Sequence, residues 1–167
     1  MKKNIKKSML IVVSLFLYSC IDPYSFEDGY HSYFIFENKA NIDIAVDTHN
    51  GSNYASDTML VSKSSIGANS DMVISANSTH KRTLTLRHDS WESLIRHHKY
   101  DTLKLFVFNY TKILSMDAYP KYVPFDSVFL QRYDLTIRDL DILDWTLSYP
   151  PDERMKNIKM YPPYGGE

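Results

Sequence analysis

The nine residues DTLKLFVFN, 101–109, constrain the chain most. Leu103, Leu105 and Val107 alternate on one side, and Phe106 and Phe108 on the other. Successive strand side chains point to opposite faces, so a strand apolar on both faces must be covered twice. The spacing therefore predicts a central strand in a sheet with a layer on each side.

Other segments supply partners. YHSYFIFEN, 30–38, is rich in β-formers, and IDIAVD, 42–47, alternates Ile42, Ile44 and Val46 against Asp43, Ala45 and Asp47. The short join at Asn38–Asn41 predicts a hairpin between them. TMLVSKSSI (58–66), MVISA (72–76) and RTLTLRH (82–88) read as further strands, the last with Leu84 and Leu86 on one face. WTLSYP, 145–150, closes the series with Trp145, Leu147 and Tyr149 aligned. Strand-like runs about ten residues apart predict a mainly β fold, an antiparallel β-sandwich of the immunoglobulin-like kind.

Two short helices interrupt the strands. Asp89 is placed to cap the first, with Glu92 three residues on, and Trp91, Leu94, Ile95 and His98 share one helical face. Thr136 is placed to cap the second with Asp139 reciprocating, and Leu135 and Leu140 form a hydrophobic staple. The stretch 152–167, with its prolines and the Gly165-Gly166 pair, reads as a flexible tail.

The first residues carry a different message. MKKNIKK holds four lysines and no acid, and an apolar run follows from Met9 to Tyr18. That run is shorter than the roughly 20 residues a membrane helix needs, and it has the pattern of a secretory signal. LYSC, residues 17–20, resembles the lipobox of bacterial lipoproteins in Leu17, Ser19 and Cys20, while Tyr18 departs from the small residue usual there. The resemblance implies cleavage before Cys20, diacylglycerol on its sulfur and an acylated amino group. Each buried methylene contributes about 0.8 kcal/mol, so several chains give a lasting anchor. Cys20 is the one cysteine of the 167 residues. The expected organisation is a signal peptide, 1–19, a tether, 20–29, one β-sandwich domain, 30–151, and the tail.

Removing residues 1–19 takes four lysines and no acid from 19 basic and 20 acidic side chains, leaving a formal charge of −5. That balance argues against a nucleic-acid partner. The expected partners are the membrane, through lipid on Cys20, and another envelope protein or a glycan.

DTLKLFVFN together with LQRYDLTIRDLDILDWTLSYPP resembles small lipoproteins of unknown function from Bacteroidota. The resemblance covers roughly 33–151 and implies a cell-envelope location. The residues after Cys20, Ile-Asp-Pro-Tyr-Ser, lack the acidic cluster associated with surface display in that lineage, which points to the periplasmic side of the outer membrane. The resemblance implies no activity.

A search for chemistry finds no G-x-S-x-G, H-E-x-x-H or P-loop, and only five glycines. No catalytic residue, cofactor or metal is expected. His80, His88, His97 and His98 cluster in sequence, yet His97 and His98 are about 100° apart on a helix and poorly placed for one ion. Asp139, Asp141 and Asp144 lack the glycine and terminal glutamate of a calcium loop. Tyr54, Tyr119 and Tyr122 are candidate glycan contacts, because aromatic faces stack on sugar rings. Asp57-Thr58, Asp101-Thr102 and Asp126-Ser127, each before an apolar residue, resemble the O-glycosylation acceptor of that phylum, which makes Thr58, Thr102 and Ser127 candidates. The functional expectation is a lipoprotein with a structural or protein-interaction role and no catalysis. The alternative is a glycan-binding accessory lipoprotein of a polysaccharide-handling system.

Overall fold

The structure, a computed structural model, describes residues 30–48, 60–62, 70–97, 101–116 and 122–166. The chain divides into a unit of residues 1–30 and a unit of residues 31–167, and every sheet and helix named below belongs to the second.

Among the described residues the fold is mainly β, with mostly antiparallel sheets and four short helices. Strands β1 (Phe34–Asn38), β5 (Ser78–Thr83) and β9 (Thr146–Tyr149) form a three-stranded sheet in the order β5-β1-β9. A five-stranded sheet runs β10-β8-β6-β2-β4, from β10 (Lys159–Tyr161) through β8 (Phe129–Leu135), β6 (Leu103–Asn109) and β2 (Ile44–Thr48) to β4 (Val73–Ile74). A ribbon pairs β3 (Leu60–Ser62) with β7 (Tyr122–Pro124). The helices are α1 (Trp91–Arg96), α2 (Tyr110–Ser115), α3 (Phe125–Val128) and α4 (Ile137–Ile142). Among the described residues no helix is long and apolar enough to cross a membrane.

β6 is the middle strand of its sheet, and both of its faces are covered. Leu103, Leu105 and Val107 join Phe34, Phe36 and Leu147 of the three-stranded sheet in the main core, so the two sheets make a sandwich. Phe106 and Phe108 lie in a second cluster with Ala45, Ile113 of α2, Val123 of β7 and Val128 of α3. A third layer therefore covers part of the outer face. Helices α2 and α3, which build it, are additional to the two expected.

Several expectations need correction. β1 and β2 do not form a hairpin: β1 pairs antiparallel with β5 and parallel with β9, while β2 pairs with β6 and β4. The buried Asn38 holds the crossing between sheets, its amide donating to the carbonyls of Ile42, Ile74 and Ser75. The strand expected at 82–88 lies instead at Ser78–Thr83 and ends at Leu84, whose φ is +53°. The expected strand start at Trp145 is the end of a helix-terminating turn. Asp144 and Trp145 both take the left-handed conformation, and the Trp145 N–H returns to Leu140 O at 2.9 Å. Such backbone costs a non-glycine residue roughly 1 kcal/mol or more. Burial of the Trp145 ring and its Nε1–H bond to Asp141 hold it.

The largest correction concerns the tail. Residues 152–166 are not a loose end. A 3-10 turn, Glu153–Met155, leads to β10, which adds to the edge of the five-stranded sheet. Met155, Ile158 and Met160 enter the main core. The domain thus continues past 151, because three apolar side chains have a sheet edge to cover.

Candidate functional site

The register of the five-stranded sheet builds a composite row on its outer face. Directly opposed residues of antiparallel strands share a face. Tyr161 lies opposite Arg132, Arg132 opposite Phe106, and Phe106 opposite Asp47. The adjacent row reads Lys159, Asp134, Lys104. The third layer covers Phe106, while the β10–β8 side stays open: Tyr161 is 60% exposed.

Aromatic rings connect the buried and open parts. Phe125 stands edge-on to Phe108 at 5.7 Å, Phe129 stacks on Phe125 at 4.8 Å, and Tyr161 stacks on Phe129 at 6.1 Å and 22°. Tyr161 thus lies in line with Phe129 and keeps much of its surface open to solvent. Beside it, Asp134 is buried and forms ion pairs with Arg132, Nε to Oδ1 at 2.9 Å, and with Lys159, Nζ to Oδ2 at 3.4 Å. Lys104 is exposed on the same face. At the far end of the row, burial raises the Asp47 carboxyl to about 6, against a smaller lowering by the Thr48 backbone N–H.

A second constellation joins the start of the domain to α1. Both carboxylate oxygens of buried Glu92 accept the His31 backbone N–H, at 3.1 and 3.0 Å. Glu92 Oε1 also meets His31 Nδ1 at 2.6 Å, and the imidazole stacks on Trp145 at 4.0 Å and 12°. A buried carboxylate fixing an imidazole is a component of acid–base machinery. Here the carboxylate also holds the backbone, so it pins the domain's first residue. Glu92 is therefore no capping-box partner: Ser90, not Asp89, caps α1 by accepting Ser93 N–H.

A shallow polar cleft of about 370 Å³ lies between β1 and the turn into β5, lined by Glu37, Asn38, Lys39, Asn77, Ser78 and Thr79. Ion pairs edge it: Lys39–Asp152 at 2.9 Å, Lys39–Glu37 at 3.1 Å and Arg154–Asp152 at 2.7 Å. The hydrogen bond from Arg154, helped by Lys39, holds the Asp152 carboxyl well below the usual carboxylate range.

The sequence-predicted residues fall elsewhere. Cys20, Tyr54, Thr58, His98 and Tyr119 lie outside the described residues, and of Tyr122 only the backbone, in β7, is described. Thr102 is half-buried just before β6. Ser127 Oγ donates to Pro124 O at 2.6 Å within the short α3. His80 Nδ1 meets Thr83 Oγ1 at 2.9 Å, and His97 Nδ1 meets Ser93 O at 2.7 Å. Asp139 closes the capping box of α4, Asp141 accepts the Trp145 indole N–H, and Asp144 carries the turn. Among the described residues no three His, Cys, Asp or Glu side chains are grouped to hold a metal ion. Tyr161 and Lys159 stand in the stretch whose prolines and glycine pair predict a flexible tail, and β10 holds them instead. The signal was present: Lys159-Met160-Tyr161 alternates polar and apolar, and Ile158 precedes it.

No protein-family model, curated protein or solved structure matches this chain.

Proposed function

We propose that this chain is a lipid-anchored protein of the bacterial cell envelope, held at the outer membrane through Cys20, with an interaction role and no catalytic activity. Leu17, Ser19 and Cys20 support the anchor by their likeness to a lipobox. The observation that carries the interaction role is the exposed ring of Tyr161, in line with Phe129 and beside Arg132 and Lys159. Tyrosine and arginine are enriched where proteins meet partners. An interaction role is common to both partner classes raised by the sequence, another envelope protein and a glycan.

The test is made in intact cells. Replacing Lys159 by a photo-crosslinking residue should give discrete adducts of the membrane-bound protein. The same residue at Lys81, on the other sheet, should give none. Matching patterns at both positions would refute an interaction role for this face. Cys20→Ser should move the protein out of the membrane fraction, and unchanged fractionation would refute the anchor.

A further inference from the structure

We infer that the open part of the outer sheet face binds an acidic saccharide, with a sugar ring stacked on Tyr161 and its carboxylate held by Lys159, Arg132 or Lys104. The inference rests on the interaction role proposed above and names the ligand class.

Charge gives the sign of the ligand. Lys104, Arg132 and Lys159 share one face, and the one carboxylate between them is Asp134. Arg132 and Lys159 both pair with Asp134, so a single negative charge serves two cations, with Lys104 opposite it. The cluster keeps a positive excess in a chain whose residues 20–167 carry −5. An anionic ligand is attracted here, and salt weakens the attraction.

Geometry gives the shape. Tyr161 runs near-parallel to Phe129, and Phe129 stacks on Phe125, so the exposed Tyr161 ring continues an aromatic row that begins in the core. Protein hot spots commonly seat an anchor side chain in a pocket. The cleft edged by Lys39 and Asp152 lies at β1 and β5 and does not include Tyr161. An exposed ring with Arg132 one strand across, about 4.8 Å away, and Lys159 two residues along its own strand suits a pyranose ring carrying a carboxylate.

The test uses the full chain in detergent micelles, with polygalacturonate as probe. Wild type should be retained by polygalacturonate and held at least about tenfold more weakly by its methyl ester, which is neutral. Tyr161→Ala should weaken retention at least about tenfold, while Tyr161→Phe, which keeps the ring, should stay near wild type. Lys104→Gln with Lys159→Gln should lower retention without lowering the melting temperature, and the melting temperature of Tyr161→Ala shows whether that variant stays folded. Three results overturn the inference: no retention of wild type on polygalacturonate; equal retention on poly-L-glutamate or on phosphatidylglycerol vesicles; and retention indifferent to Tyr161→Ala. If polygalacturonate is ignored while the Lys159 crosslinks persist in cells, the saccharide is wrong and the interaction role stands.

Discussion

Asp47 shows how a single side chain can set a pH dependence. It faces outward from β2 opposite Phe106, and loss of water raises its carboxyl to about 6 from an ordinary 3.8. The folded protein then binds more protons than the unfolded chain between those values. Its stability contribution is full below about pH 4 and is lost as pH rises to about 6. Relative to Asp47→Asn, wild type should therefore lose up to about 3 kcal/mol across that window, read by urea unfolding at pH 4, 5, 6 and 7. A constant difference between the two proteins would show that Asp47 stays solvated. Glu92 shows the limit of local reading. Its spacing from Asp89 looked like a capping box, but the cap moved by one residue to Ser90, whose N–H is held by Asp89. That shift turns Glu92 inward to His31, a partner 61 residues away that no local pattern could name.

At the scale of elements, what local chemistry decides was legible. In α4, Thr136 Oγ1 accepts Asp139 N–H at 3.2 Å and Asp139 Oδ2 accepts Thr136 N–H at 2.9 Å, as the sequence spacing implied. Thr136→Ala should cost about 1 kcal/mol in chemical unfolding, whereas an unchanged midpoint would mean the box contributes nothing. β6 was equally readable, because a strand apolar on both faces admits one kind of place. β5 was not: STHKRT carries no buried apolar residue, and its position follows from pairing with β1. The supposed β1–β2 hairpin failed for a related reason. A short join permits a hairpin but does not require one, and β1 found its parallel partner in β9, more than 100 residues on.

Over the whole molecule, the β class and the doubly covered sheet followed from the alternation in 101–109, and the third layer and the closing edge did not. Helices α2 and α3 are six and four residues long, too short for a periodic pattern to declare them. The last strand hid behind prolines. Its cost can be measured. Met155 is fully buried, and its sulfur meets Ser148 Oγ at 3.5 Å. Met155→Ala should destabilise the fold by about 2–5 kcal/mol in urea unfolding. A change under 0.5 kcal/mol would return 152–166 to the status of a dispensable tail.

The interaction role requires that the open face be occupied in the living envelope, and tyrosine iodination reads this directly. Intact envelopes and the purified chain are iodinated in parallel, with the exposed Tyr33, just before β1, as internal reference. The account predicts that Tyr161 is protected in envelopes and reactive once purified, while Tyr33 reacts alike in both. Equal reactivity of Tyr161 in the two preparations would contradict it.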